Sequence, residues 1–297
     1  MIKRFLIASY ALFIIACASG HHRPFEEKMA PVRDLAAAQT HIQGIVSSSA
    51  YLSLKKIGQV AYDGFQAPLW CLSFRTEAPV AFTVFVNAGI HGNEPAGVAY
   101  ALQFLEHLAR NPDRFDTIAI DIVPIINPWG WIHAIRYNRN GTDINRDFST
   151  FHSPEAKIIA DFLGTQQYDL MLDLHEDRFA RGFYLYQYGQ ADTSIAETVV
   201  ETIKRMGFPI EEKVSMLILK AKNGIIDAPM WGLWYMRLTG QMSIANYYRL
   251  SHSRRVYTIE TPTELDEEDR IRMQRAAVEV LILRHPARAE DENKDTY

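Results

Sequence analysis

Pro79-Val-Ala-Phe-Thr-Val-Phe-Val-Asn-Ala-Gly-Ile-His-Gly-Asn-Glu-Pro-Ala96 reads as a buried strand that brings a histidine and a glutamate to one turn. Val80 to Val86 is an almost continuous apolar, β-branched and aromatic run, which suits a central parallel strand covered on both faces. The run stops at Asn87-Ala88-Gly89. Pro95 fits the first turn of a helix, where its missing N–H would be unpaired anyway, and Ala96 to Leu108 continues at helical spacing. His91 and Glu94 therefore sit at the carboxyl end of a strand, the edge where open α/β sheets bind ligands. A His-x-x-Glu pair can place an imidazole nitrogen and a carboxylate oxygen on one Zn²⁺, at roughly 2.0–2.2 Å each. The spacing alone carries little weight in a chain with ten histidines, and a capped helix start without metal is the plainer alternative. A third ligand, an open position and a base have to be found elsewhere.

The 297 residues, 48% of them hydrophobic, can bury one large core, and a single α/β domain is expected. The formal charge of −4 gives no basic footprint, so nucleic acid is not an expected partner. Lys3-Arg4 precede an apolar run from Phe5 to Ala16, too short for a comfortable membrane span but right for a signal segment. Ile14-Ile15-Ala16-Cys17 resembles a bacterial lipobox, which makes Cys17 the lipid-bearing first residue of the mature chain. An ordinary signal cut after Ala18 or Ser19 is the alternative. The expected division is therefore a signal peptide over 1–16, a tether over 17–24, the domain over 25–285, and a charged, disordered tail over 286–297. Cys71, in an apolar stretch, has no disulfide partner and is expected to be buried.

Further along, Phe25 to Ile45 supports one or two helices. Lys56 to Tyr62 and Leu69 to Arg75 read as a hairpin with its loop starting at Asp63-Gly64. Thr117 to Ile126 is another strand, joined to the first through a helix from Glu94 to Arg110, which makes a parallel unit. Ser153-Pro154-Glu155 opens a helix to about Leu163, Tyr168 to Leu174 is a buried strand, and Gly182 to Tyr188 a further one. Ser194 to Met206 reads as helix, Arg255 to Ile259 as the last inner strand, and Asp266 to Leu283 as a closing helix. The stretch Val214 to His252 gives mixed signals, and its Trp231, Trp234, Tyr235, Tyr247 and Tyr248 suggest a pocket wall or a packed excursion.

Three more motifs lie at strand ends. Leu172-Asp173-Leu174-His175-Glu176 can bring a third metal ligand to the same edge, with water in the fourth position as a catalytic zinc requires. Val256 to Pro262 ends another strand with Glu260, suited to take a proton from that water. Between them, Asn127-Pro128-Trp129-Gly130 leads into a loop from Arg136 to Phe148 that carries three guanidinium groups. One of these can stabilise an oxyanion, and a fork-shaped arginine can grip a carboxylate. Arg136 and Arg146 could instead pair with Asp143 and Asp147 in a solvated loop. His133, His152 and His252 match no motif, and Arg178 and Arg181 are expected on a solvated face.

With these motifs in order, the chain resembles the M14 family of zinc carboxypeptidases from about Lys56 to Arg284. The resemblance implies a three-layer α/β sandwich with a mixed, mostly parallel sheet. His91, Glu94 and His175 would hold one Zn²⁺, Arg136 would polarise the carbonyl, Asn145-Arg146 would bind the substrate's terminal carboxylate, and Glu260 would be the general base. Trp129 stands where the family's turn carries an aspartate. The family's tyrosine upstream of the base falls on Tyr247 or Tyr248 without a motif to choose between them. The short gap from Glu94 to His175 resembles compact bacterial members that act on cell-wall peptides.

The expectation is a zinc metallocarboxypeptidase, held by a lipid anchor in a bacterial envelope, acting on peptides derived from the envelope or from peptidoglycan. Two other readings stand beside it: a zinc acylase or amidase of the desuccinylase type, and a non-catalytic peptide-binding lipoprotein.

Overall fold

The computed structural model describes residues 29–189, 193–212, 215–216 and 219–284. The signal segment, Cys17, the tether and the charged tail lie outside the described residues.

The described residues open with helix α1 (Leu35–Ser47), whose start is fixed by Asp34 accepting from the N–H groups of Ala36 and Ala37. Among the described residues of the stretch from Phe25 to Ile45 it is the one helix. Strands β1 (Leu52–Tyr62) and β2 (Phe65–Phe74) form the expected hairpin, longer than read, because the turn closes in two residues. Gly64 supplies the positive φ of 72° that this turn needs. β3 (Phe82–Asn87), α2 (Pro95–Arg110) and β4 (Ile118–Val123) make the parallel unit, with Pro95 at the helix start and Glu94 as its cap residue. There follow α3 (Pro128–His133), α4 (Pro154–Leu163), β5 (Leu170–Asp177), β6 (Tyr184–Tyr188) and α5 (Ser194–Arg205). A two-stranded ladder of β7 (Ser215–Met216) and β8 (Leu219–Lys220) leads to β9 (Ile225–Ala228). The chain then forms α6 (Met230–Leu238), α7 (Ile244–Ser251), β10 (Val256–Pro262) and α8 (Glu267–Leu283).

The main sheet has eight strands in the order β1-β2-β4-β3-β5-β10-β6-β9. β4, β3, β5 and β10 run parallel at its centre, and β2 and β6 flank them antiparallel. The central strands are apolar on both faces because helices cover both, as the unbroken run in β3 requires.

Side-chain alternation divides the core in two. Val84, Val86, Leu172, Leu174, Tyr257 and Ile259 point to one face, beneath α1, α2, α5 and α8. Phe85, Met171, Tyr184, Tyr186 and Val256 point to the other, beneath α4, α6 and α7. Phe104, Leu105 and Leu108 of α2 are fully buried in the first layer, and each contributes about 1.5–3 kcal/mol relative to an exposed position. Cys71 is buried as expected, and burial pushes its thiol up to about 12.

Candidate metal centre

His91 lies on the loop between β3 and α2. Gly89 turns this loop at φ 64°, and the N–H of Asn127 donates to its carbonyl at 2.9 Å. The loop then packs against the Asn127-Pro128-Trp129-Gly130 turn so closely that a Cβ on Gly92 would lie 1.9 Å from the carbonyl carbon of Gly130. Asn127 caps α3 by accepting from Gly130 N–H at 2.8 Å, and Arg33 clamps both segments by donating to the carbonyls of Gly92 and Trp131, each at 2.7 Å. Trp129, where an aspartate was expected, is buried and stacks on His133 at 4.5 Å. His133 is a packing residue, as its lack of a motif suggested.

His91, Glu94 and His175 converge, all buried, with their ligating atoms within 4.8 Å of one another. The Nδ1 of His91 is 2.7 Å from one oxygen of Glu94, and the Nδ1 of His175 is 2.7 Å from the other. Each ring's remaining nitrogen faces a carboxylate: His91 Nε2 is 3.2 Å from Asp143 Oδ1, and His175 Nε2 is 3.0 Å from Asp173 Oδ2. A carboxylate beside each Nε2, with the two Nδ1 atoms directed inward at Glu94, is the arrangement that orients metal-binding histidines. Burial pushes the Glu94 carboxyl up, but the two imidazoles outweigh it and hold the group ionised well below the usual range. The residues present therefore fit a zinc ion: two imidazoles, one ionised carboxylate and an outer partner for each ring.

Behind His175 runs a buried polar row across four strands, β3, β5, β10 and β6. Asn87 donates to Asp173 at 2.6 Å, Thr258 lies 3.5 Å from the other Asp173 oxygen, and Tyr188 bonds Thr258 at 2.9 Å. Asp143 is engaged on both sides, because Arg136 donates to its second oxygen at 2.9–3.0 Å. Neither aspartate was singled out by sequence as a partner of a ligand.

The loop from Arg136 to Phe148 is not solvated: Asn138, Asp143, Asn145 and Phe148 are all buried. Arg136 reaches 3.6 Å from Glu94 as well as pairing with Asp143. Asn145 places its amide 3.3 Å from His175 Nε2 and accepts from Ile244 N–H at 2.9 Å. Arg146 donates to the Asn145 carbonyl at 2.7 Å. Asp147 does not pair with Arg146; it accepts from Thr150 and Ser153 and closes the loop onto α4.

Glu260 pairs in register with His175 on one side and Tyr184 on the other, so its side chain shares their face. Enclosure pushes its carboxyl up to about 8; His175 opposes this, while Glu94, Asp177 and Asp173 add to it. Glu176 is placed differently. As the next residue on the strand it points to the opposite face, where it accepts from Ala96 N–H at 2.6 Å and pairs with Arg270.

Tyr247 and Tyr248 pack in the second core layer, against Phe148 and Phe85 respectively. Tyr184, Tyr186 and Tyr188 of β6 all have Glu260 as a charged neighbour, and enclosure first, with that charge adding to it, pushes the three hydroxyls upward. Sequence reasoning missed them, although the alternation of Tyr184, Tyr186 and Tyr188 places all three on one strand face. His152 is exposed, and buried His252 faces the Gln166 carbonyl at 2.8 Å. Arg178 and Arg181 are exposed, Arg178 lying over the Phe179 ring.

Residues 81–216 match the model of the succinylglutamate desuccinylase/aspartoacylase catalytic domain. Carboxypeptidase E of Caenorhabditis elegans is 31% identical over 153 residues, 43% of this chain and 31% of that protein. Carboxypeptidase 2 of Trichophyton rubrum is 26% identical over 162 residues, 52% of this chain and 30% of that protein. The chain thus spans about a third of the length of the curated relatives it matches. The solved structure of the carboxypeptidase A from Helicoverpa armigera superimposes with a TM-score of 0.65 at 16% identity, covering 98% of this chain and 82% of that one.

Proposed function

We propose, from the premise that this chain has an M14-like zinc carboxypeptidase fold, that it is a zinc-dependent metallocarboxypeptidase cleaving the C-terminal peptide bond of envelope or peptidoglycan-derived peptides. The observation that carries the reading is the shared face of His175 and Glu260 beside the His91–Glu94 pair.

Bound at His91, Glu94 and His175, Zn²⁺ would supply a Lewis acid that polarises the scissile carbonyl and lowers the pKa of water. Glu260 takes a proton from the attacking water and passes it to the leaving amine, a role suited to a carboxyl that the sheet holds on the same face as His175. Arg136, with Asp143 holding its fork, presents positive charge where the oxyanion develops. Asn145 and Arg146 together grip the free carboxylate at the chain end, Arg146 through its planar fork. The lipid anchor at Cys17 and the bacterial envelope location belong to this proposal on the strength of the N-terminal sequence.

The match to the desuccinylase and aspartoacylase model favours a second reading, hydrolysis of an N-acyl amino acid. Muropeptide and synthetic peptide digests followed by mass spectrometry separate the two. Loss of the C-terminal residue from free but not amidated peptides supports the carboxypeptidase. Turnover of N-acyl amino acids with intact peptides overturns it, and absence of any hydrolysis by the zinc-loaded protein points to a non-catalytic binder.

A further inference from the structure

Helix α6 carries an aromatic stripe that faces outward. Trp231, Trp234, Tyr235 and Leu238 stand at i, i+3, i+4 and i+7, which places them on one side of the helix. They are exposed by 61%, 48%, 44% and 85%. The inward side is thin: Leu233 is the one fully buried residue of the helix. The helix holds no acidic side chain, and its only charge, Arg237, lies over the Trp234 ring at 5.3 Å. A helix built to pack on its own domain would turn such a stripe inward.

We infer that this stripe is a docking surface for the headgroup–acyl boundary of a phospholipid bilayer. Two observations favour a lipid occupant. Tryptophan and tyrosine flanked by a basic residue are the composition that settles at a membrane interface, where the ring bodies meet acyl chains and the polar edges meet headgroups. The chain between Cys17 and Met29 spans at most about 40 Å when extended, so an anchored domain is held within reach of the bilayer, where a weak surface contact becomes effective. No helix among the described residues is long and apolar enough to cross a membrane, so the contact is peripheral.

The surface also connects to the site. The segment after α6 bonds the loop that holds Asn145, through Phe148 N–H to the Met242 carbonyl at 3.1 Å and Ile244 N–H to Asn145 Oδ1 at 2.9 Å.

The inference uses the envelope reading for the tether alone, and the test keeps the two apart. The mature chain, residues 17–297, bearing Cys17→Ser, which lacks both the apolar signal segment and any acyl anchor, is mixed with vesicles of phosphatidylethanolamine and phosphatidylglycerol containing brominated lipid. Sedimentation with the vesicles and quenching of tryptophan fluorescence are expected. Adding Trp231→Ser and Trp234→Ser should lower partitioning at least about tenfold, with circular dichroism and zinc content unchanged. Failure of the Cys17→Ser chain to bind vesicles overturns the inference, as does undiminished binding by the triple variant. Light scattering that shows a dimer dispersed by the two tryptophan changes would assign the stripe to a second copy. Retention on isolated peptidoglycan that depends on the two tryptophans, without vesicle binding, would assign it to glycan.

Discussion

Glu260 and His175 are partners across the parallel β5–β10 pair, so the sheet itself holds the proposed base on the same face as a metal ligand. Neither depends on a flexible loop for its position. Glu260→Gln keeps the shape and removes the base. Metal content should survive while turnover falls by roughly 10²–10⁴. Metal loss in this variant would make Glu260 a ligand, and full activity would make it structural.

The outer carboxylates give a second expectation. Asp143 and Asp173 each face the Nε2 of one ligand histidine. Asp143→Asn and Asp173→Asn should each weaken metal affinity by roughly 10–100-fold, with secondary structure intact by circular dichroism. Competition titration against a chelator reads the effect directly, and wild-type affinity in both variants would remove the aspartates from the account.

Glu155 supplies a pH dependence. It is fully buried, held by Tyr62 at 2.7 Å and Asn138 at 3.2 Å, and burial raises its carboxyl to about 7 from 4.5. The folded state then binds the proton more tightly than the unfolded chain, so this group's contribution to stability falls as pH rises from 4.5 to 7. The shift corresponds to roughly 3 kcal/mol. Thermal melts of Glu155→Gln should lack this decline, and a wild-type slope in the variant would assign the pH dependence to other groups.

Two glycines should respond in opposite directions. Gly92→Ala drives a Cβ into the backbone at Gly130, and neither loop can retreat without moving His91, so loss of folded protein or of metal is expected. Gly44, inside α1, has nothing within 4 Å of a new Cβ, and Gly44→Ala should stabilise by about 0.5–1 kcal/mol. Equal melting temperatures for both variants would contradict the close approach of the two loops.

Much of this site was legible in the chain because its parts end long apolar strands: His91 after Val80 to Val86, His175 after Tyr168 to Leu174, Glu260 after Val256 to Ile259. Such runs are unambiguous, and order along the chain did the rest. Asp143 and Asp173 were hidden for the opposite reason, since a carboxylate in a loop or a strand carries no label for the ring nitrogen it will meet in space. The alternation of Leu172-Asp173-Leu174-His175 did hold a signal, for it puts Asp173 and His175 on one face and turns Glu176 away. Helices α6 and α7 stayed unread because they are short and aromatic-rich, and because the stripe of α6 faces outward, where a packed helix would turn it in.

The central claim is that His91, Glu94 and His175 hold one zinc ion. Elemental analysis of chelator-stripped protein reloaded with zinc and dialysed should give about one ion per wild-type chain and almost none in His91→Ala, Glu94→Ala and His175→Ala, each still folded by circular dichroism. Full zinc content in the three variants would contradict the account.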